Sequence, residues 1–125
     1  MVEGLPTGCR VLVAEDDPML AMRIEDLIQD AGGEVIGPFE TVAETAAAVR
    51  ANTIDIAILD LSLKDGNAYP IADMLDPRAV PFIFLSGYGA DSGPTDRPNW
   101  QWHSKPFVAE ELLAKVKGLL HPYRG

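Results

Sequence analysis

Cysteine is nearly absent. Cys9 is the only one in 125 residues, so neither an internal disulfide nor a cysteine-built metal finger is available. A lone thiol at the head of an apolar run reads as packing in a protein of a reducing compartment. Positive charge is also scarce: ten Lys and Arg stand against nineteen Asp and Glu, for a net charge of -9. That balance, with no basic cluster, would repel a phosphate backbone and argues against nucleic-acid binding. No apolar run approaches membrane-spanning length. Residues 1–8 lack the charged start and apolar stretch of a signal peptide, and read instead as a flexible N-terminal extension. The expectation is a soluble, cytosolic chain, monomeric or weakly dimeric, that touches neither membrane nor nucleic acid.

With 47% hydrophobic residues, the chain can bury the core of one domain across residues 1–125, with no room for a second. Cys9 to Ala14 has the length and branching of a buried strand. Asp17 and Pro18 then supply a cap and a first helical turn, and Leu20, Ile24, Leu27, Ile28 and Ala31 follow at helical spacing until Gly32 and Gly33. Glu34 to Ile36 predicts a short second strand. Thr41 starts an alanine-rich helix with Val42, Ala46 and Val49 on its inner stripe, and Ile54 to Leu59 a third strand covered on both faces.

Residues 61–68 predict a polar loop around the Asp65-Gly66-Asn67 turn signal, before a short helix from Pro70 to Leu75. Pro81 to Leu85 and Trp100 to Ser104 predict two more strands, and Val108, Leu112, Val116 and Leu119 stripe a last helix ending near His121. Alternating strands and helices define a doubly wound α/β domain. Residues 86–99, rich in glycine and proline, break the alternation, so the fourth helix is expected to be short or replaced by a loop.

Four strand ends carry reactive groups: Glu15 and Asp16, Asp60, Ser86 and Lys105. Parallel sheets bind ligands just beyond their carboxyl ends, so these residues are expected to converge. Clustered carboxylates raise each other's pKa, and a hard divalent cation relieves the repulsion. Magnesium, with oxygen ligands from Glu15, Asp16, Asp60 and the Ser62 main chain, suits such an open site. A carboxylate can also attack phosphorus, a transfer that needs positioning and charge neutralisation. Lys105 and the Ser86 hydroxyl would serve the phosphoryl oxygens, and Pro106 makes a cis peptide affordable for aiming the lysine. His103 and His121 fit no metal role, and Trp100 and Trp102, at strand spacing, read as packing against the sheet.

From Val11-Leu12-Val13-Ala14-Glu15-Asp16-Asp17-Pro18 through Asp60 and Ser86 to Lys105-Pro106-Phe107, the chain resembles a receiver domain of bacterial two-component response regulators. The resemblance implies a flavodoxin-like five-stranded parallel sheet of order 2-1-3-4-5 with five helices. It implies that Asp60 accepts a phosphoryl group from a histidine kinase or phosphotransfer protein. Asp16 would bind magnesium directly, Glu15 through water; Ser86 would sense the phosphoryl group and Lys105 contact it. Pro81-Phe82-Ile83-Phe84-Leu85-Ser86-Gly87-Tyr88 is similar to the "FAT GUY" subgroup, with Leu85 and Ser86 where Ala and Thr are usual. Trp102 occupies the place of the aromatic that rotates with the switch hydroxyl, so Ser86, Gly87, Tyr88, Trp102 and Pro106 are the implied output positions.

The implied function is a stand-alone phosphoacceptor that catalyses its own phosphorylation and hydrolysis. It would act on a downstream protein target or drain phosphoryl groups in a phosphorelay. Two alternatives are an aspartyl-nucleophile phosphohydrolase, disfavoured because Ser62 stands where a second carboxylate is wanted, and an unphosphorylated pseudo-receiver that serves as a binding module.

Overall fold

Branched apolar runs form the strands, and the first, β1 (Arg10–Ala14), has four fully or nearly fully buried residues after Arg10. Helix α1 (Pro18–Asp30) follows, capped as the sequence predicts: the Asp17 carboxylate accepts from the N–H groups of Met19 and Leu20 at 3.0 and 3.4 Å. The chain then gives β2 (Glu34–Phe39), α2 (Val42–Ala51), β3 (Ile56–Asp60) and a hairpin of β4 (Ser62–Leu63) and β5 (Gly66–Asn67). Helix α3 (Tyr69–Leu75) ends in a 3-10 turn, Asp76–Arg78, before β6 (Phe82–Ser86), β7 (Gln101–Ser104) and α4 (Ala109–Leu120).

This computed structural model describes residues 4–87 and 100–120. Most of the segment 86–99, Tyr88 included, and His121 lie outside the described residues, so the expectations for the fourth crossover and the chain end stop at Gly87 and Leu120. Among the described residues there are four α-helices, and no helix is long and apolar enough to cross a membrane.

The five long strands are parallel, in the order β2-β1-β3-β6-β7. Counted within that sheet alone, this is the flavodoxin-like order 2-1-3-4-5. Successive side chains of a strand alternate faces. Accordingly Ala57, Leu59, Phe82 and Phe84 face the layer of α2 and α3, while Ile56, Ile58, Ile83 and Leu85 face that of α1 and α4. Each face buries its own core.

Three local differences from the sequence reading have physical causes. Strand β2 runs past Ile36 to Phe39 through a bulge, where Gly37 has φ +111° and a Cβ would lie 2.7 Å from the Val13 carbonyl oxygen. Val108 is 51% exposed because α4 begins one residue later, and Phe107 is buried in its stead with the Arg23 guanidinium 5.0 Å from its ring centre. From Gly4 onward the leader expected to be flexible is docked: Leu5 is buried among Cys9, Ile28 and their neighbours, and its N–H donates to the Ala31 carbonyl at 2.8 Å.

Candidate functional site

The carboxyl ends of β1, β3, β6 and β7 deliver Glu15 and Asp16, Asp60, Ser86 and Lys105 to one end of the sheet. Asp16, Asp60, Leu61, Ser62, Ser86, Gly87 and Lys105 line a cleft of about 250 Å³ there. Carboxylate oxygens of Glu15, Asp16 and Asp60 all lie within 4.8 Å of one another. Glu15, Asp60 and Ser86 are almost fully buried at 1%, 5% and 3% exposure, whereas Asp16 is partly open to solvent.

Backbone hydrogen bonds brace the acids. The Asp17 N–H donates to Glu15 Oε2 at 3.1 Å and the Ser62 N–H to Asp60 Oδ1 at 3.3 Å. Lys105 reaches across the cleft, its Nζ 3.1 Å from both Glu15 Oε1 and Asp60 Oδ2 and hydrogen-bonded to Glu15 Oε2 at 3.3 Å. Glu15 Oε1 has the charge contact but no aligned hydrogen bond, so this buried oxygen retains unused acceptor capacity. The Lys105 backbone N–H donates to the Ser86 carbonyl at 2.9 Å, joining two strand ends, and the Lys105–Pro106 peptide is cis.

Burial, then the neighbouring Glu15 carboxylate, pushes the Asp60 pKa up to about 6 against the opposing pull of Lys105. Burial and Asp60 likewise raise Asp16. For Lys105, burial favours loss of the proton, but the charges of Asp60 and Glu15 outweigh it and hold the ammonium above its ordinary value. Crowded, partly dehydrated carboxylates with an unused buried oxygen are the donor set of a hard divalent cation, and magnesium fits them.

Trp102 is half-buried and stacked on Phe84 at 4.9 Å and 30°, while its carbonyl accepts from the Lys115 ammonium at 2.7 Å. Pro106 is exposed. One group was not singled out from sequence: Asp65, which a turn signal alone describes, bonds the start of α2. A carboxylate one residue before a glycine was the only hint.

Residues 11–117 match the family model of the response regulator receiver domain, and the chain belongs to that family. Its sequence is 29% identical over 114 residues to the phyllosphere-induced regulator PhyR of Methylorubrum extorquens, covering 88% of this chain and 43% of that protein. The chain spans about half the length of the curated relatives it matches. Among solved structures it is similar to SdrG of Sphingomonas melonis, with 31% identity, a TM-score of 0.79 and coverage of 93% of this chain and 99% of that one. The anti-anti-sigma factor PhyR of Bartonella quintana shares the fold at 22% identity and a TM-score of 0.82, over 95% of this chain and 50% of that one.

Proposed function

We propose that Asp60 is the phosphoacceptor of a magnesium-dependent signalling receiver, taking its phosphoryl group from a phosphohistidine on a kinase or phosphotransfer protein. The observation that carries this reading is the acidic trio, with Glu15 and Asp60 buried and Asp16 partly open, and the Lys105 ammonium 3.1 Å from Asp60 Oδ2. Near neutral pH a carboxyl with a pKa of about 6 is mostly ionised and able to attack. One Asp60 oxygen forms a bond to phosphorus as the bond from phosphorus to the donor imidazole breaks, and the imidazole nitrogen takes up a proton. Glu15, Asp16, Asp60 and the Ser62 main-chain oxygen would hold magnesium, which when bound neutralises phosphoryl oxygens. Lys105 turns from Asp60 to the incoming phosphoryl oxygens, and the Ser86 hydroxyl donates to another.

Output passes through a protein partner, either a downstream target or, where the domain drains a shared kinase, the kinase itself. The likeness to an anti-anti-sigma factor supports a protein target. Ser86 and Gly87 line the cleft, and together with Tyr88, Trp102 and Pro106 they are the proposed output positions.

Incubation with magnesium and acetyl phosphate, read by intact mass, tests the assignment. Wild type gains one phosphoryl group and Asp60→Asn gains none. A wild-type mass unchanged with acetyl phosphate and with phosphohistidine donors overturns it in favour of a binding module.

A further inference from the structure

The tip of the β4–β5 hairpin is fastened to another part of the chain. The Lys64 N–H donates to the Glu40 carbonyl at 3.2 Å, and the Lys64 ammonium meets Glu40 Oε1 at 2.6 Å. Beside it the Asp65 carboxylate accepts from the Val42 N–H through Oδ1 at 2.5 Å and from the Ala43 N–H through Oδ2 at 3.1 Å. Those are the first two residues of α2, whose N–H groups have no acceptor inside the helix. The helix already has its own cap, since Thr41 Oγ1 accepts from the Glu44 N–H. Asp65 therefore adds a second, charged cap from 22 residues or more away in sequence. The two backbone N–H groups hold its carboxyl below the ordinary value, Val42 contributing most.

The hairpin carries that anchorage to the acidic cleft. Leu63 is buried, Ser62 pairs with Asn67, Asn67 Oδ1 accepts from the Tyr69 N–H, and the Ala68 N–H donates to the Leu61 carbonyl at 2.9 Å. Ser62, at the root, lines the cleft and donates its N–H to Asp60 Oδ1.

We propose that Asp65 is a positioning residue: by clamping the hairpin tip to the start of α2 it fixes Ser62, and through Ser62 the Asp60 carboxylate, in the arrangement the cleft uses for a divalent cation. The inference rests on the reading of the cleft as a cation-binding phosphoacceptor site. Asp65 restrains a hairpin tip whose other side-chain tie, from Lys64 to Glu40, is solvent-exposed, so its loss reaches the cleft as disorder rather than as a change of charge there.

The experiment compares the full chain with Asp65→Ala, Asp65→Asn and Thr41→Ala, the last removing the other cap of the same helix without touching the hairpin. Amide exchange is read in metal-free protein, and magnesium affinity by titration followed by NMR, both where every variant is folded. In Asp65→Ala the amides of Ser62 and Ala68 exchange about tenfold faster, and the magnesium Kd rises about tenfold, as loss of an outer partner does at metal sites. Asp65→Asn, which keeps one acceptor, falls between, and Thr41→Ala matches wild type in both readouts. Unchanged exchange in Asp65→Ala, equal effects in Thr41→Ala, or faster exchange with an unmoved Kd overturns the proposal. A wild type that takes up no magnesium defeats the reading of the cleft instead, and the exchange result then decides the clamp by itself.

Discussion

Asp60 is held in a place that disfavours its charge, and that has a measurable cost. Its pKa rises from an ordinary 3.8 to about 6. A folded-state pKa above the unfolded value means that the native protein binds more protons between them, so this residue's contribution to stability falls as pH rises from about 4 to about 6 and stays low above that. Two units correspond to about 3 kcal/mol. In metal-free buffer at pH 7, Asp60→Asn is thus expected to be more stable than wild type by up to about 3 kcal/mol, with the difference vanishing near pH 4, as urea unfolding at several pH values would reveal. Lys105 partly offsets the repulsion. Its replacement by Ala removes a positive charge 3.1 Å from two carboxylates, so magnesium should bind more tightly, by about tenfold, while phosphoryl gain from acetyl phosphate slows. Titration and mass measurement on one sample check both halves.

At the scale of elements, α1 tests the simplest signal in the chain. Asp17→Ala removes the acceptor of two helix N–H groups and should cost about 1 kcal/mol, read as a fall in thermal midpoint without loss of phosphoryl acceptance. That helix was legible because Asp17, Pro18 and the Leu20 to Ile28 stripe act within a few residues of one another. The ends of β1 and β3 were legible for a similar reason: each buried apolar run, Val11 to Ala14 and Ile56 to Leu59, is broken by a carboxylate at the next position, Glu15 and Asp60. What the sequence hid depends on distant partners. The β2 bulge needs a glycine at position 37 because a Cβ there would lie 2.7 Å from the Val13 carbonyl oxygen of β1, a partner 24 residues away. The β4–β5 hairpin was read as a plain loop, since nothing local in Asp65-Gly66 indicates that α2 lies within reach of the carboxylate. Val108 keeps helical spacing with Leu112, yet falls just outside the helix, an error of register at a boundary.

Across the whole molecule, two cores on either side of one sheet must be closed at both ends. Leu5 closes one end, packed with Cys9 and Ile28 against the face that α1 and α4 cover. Leu5→Ala should destabilise the fold by about 2–3 kcal/mol, by chemical denaturation, and leave the acidic cleft's magnesium affinity untouched; a silent substitution would mean that the leader is dispensable. At the other end, the sheet's described strands stop at β7, which pairs only with β6. The lysine that follows this edge strand nevertheless holds acids at the ends of β3 and β1, two and three places inward. It works as a stitch drawn across the mouth of the sheet. Protonating or occupying the acids is expected to slacken that stitch, and Trp102, three residues before Lys105 and stacked on Phe84, stands where a change in its fluorescence would register the charge held four strands wide.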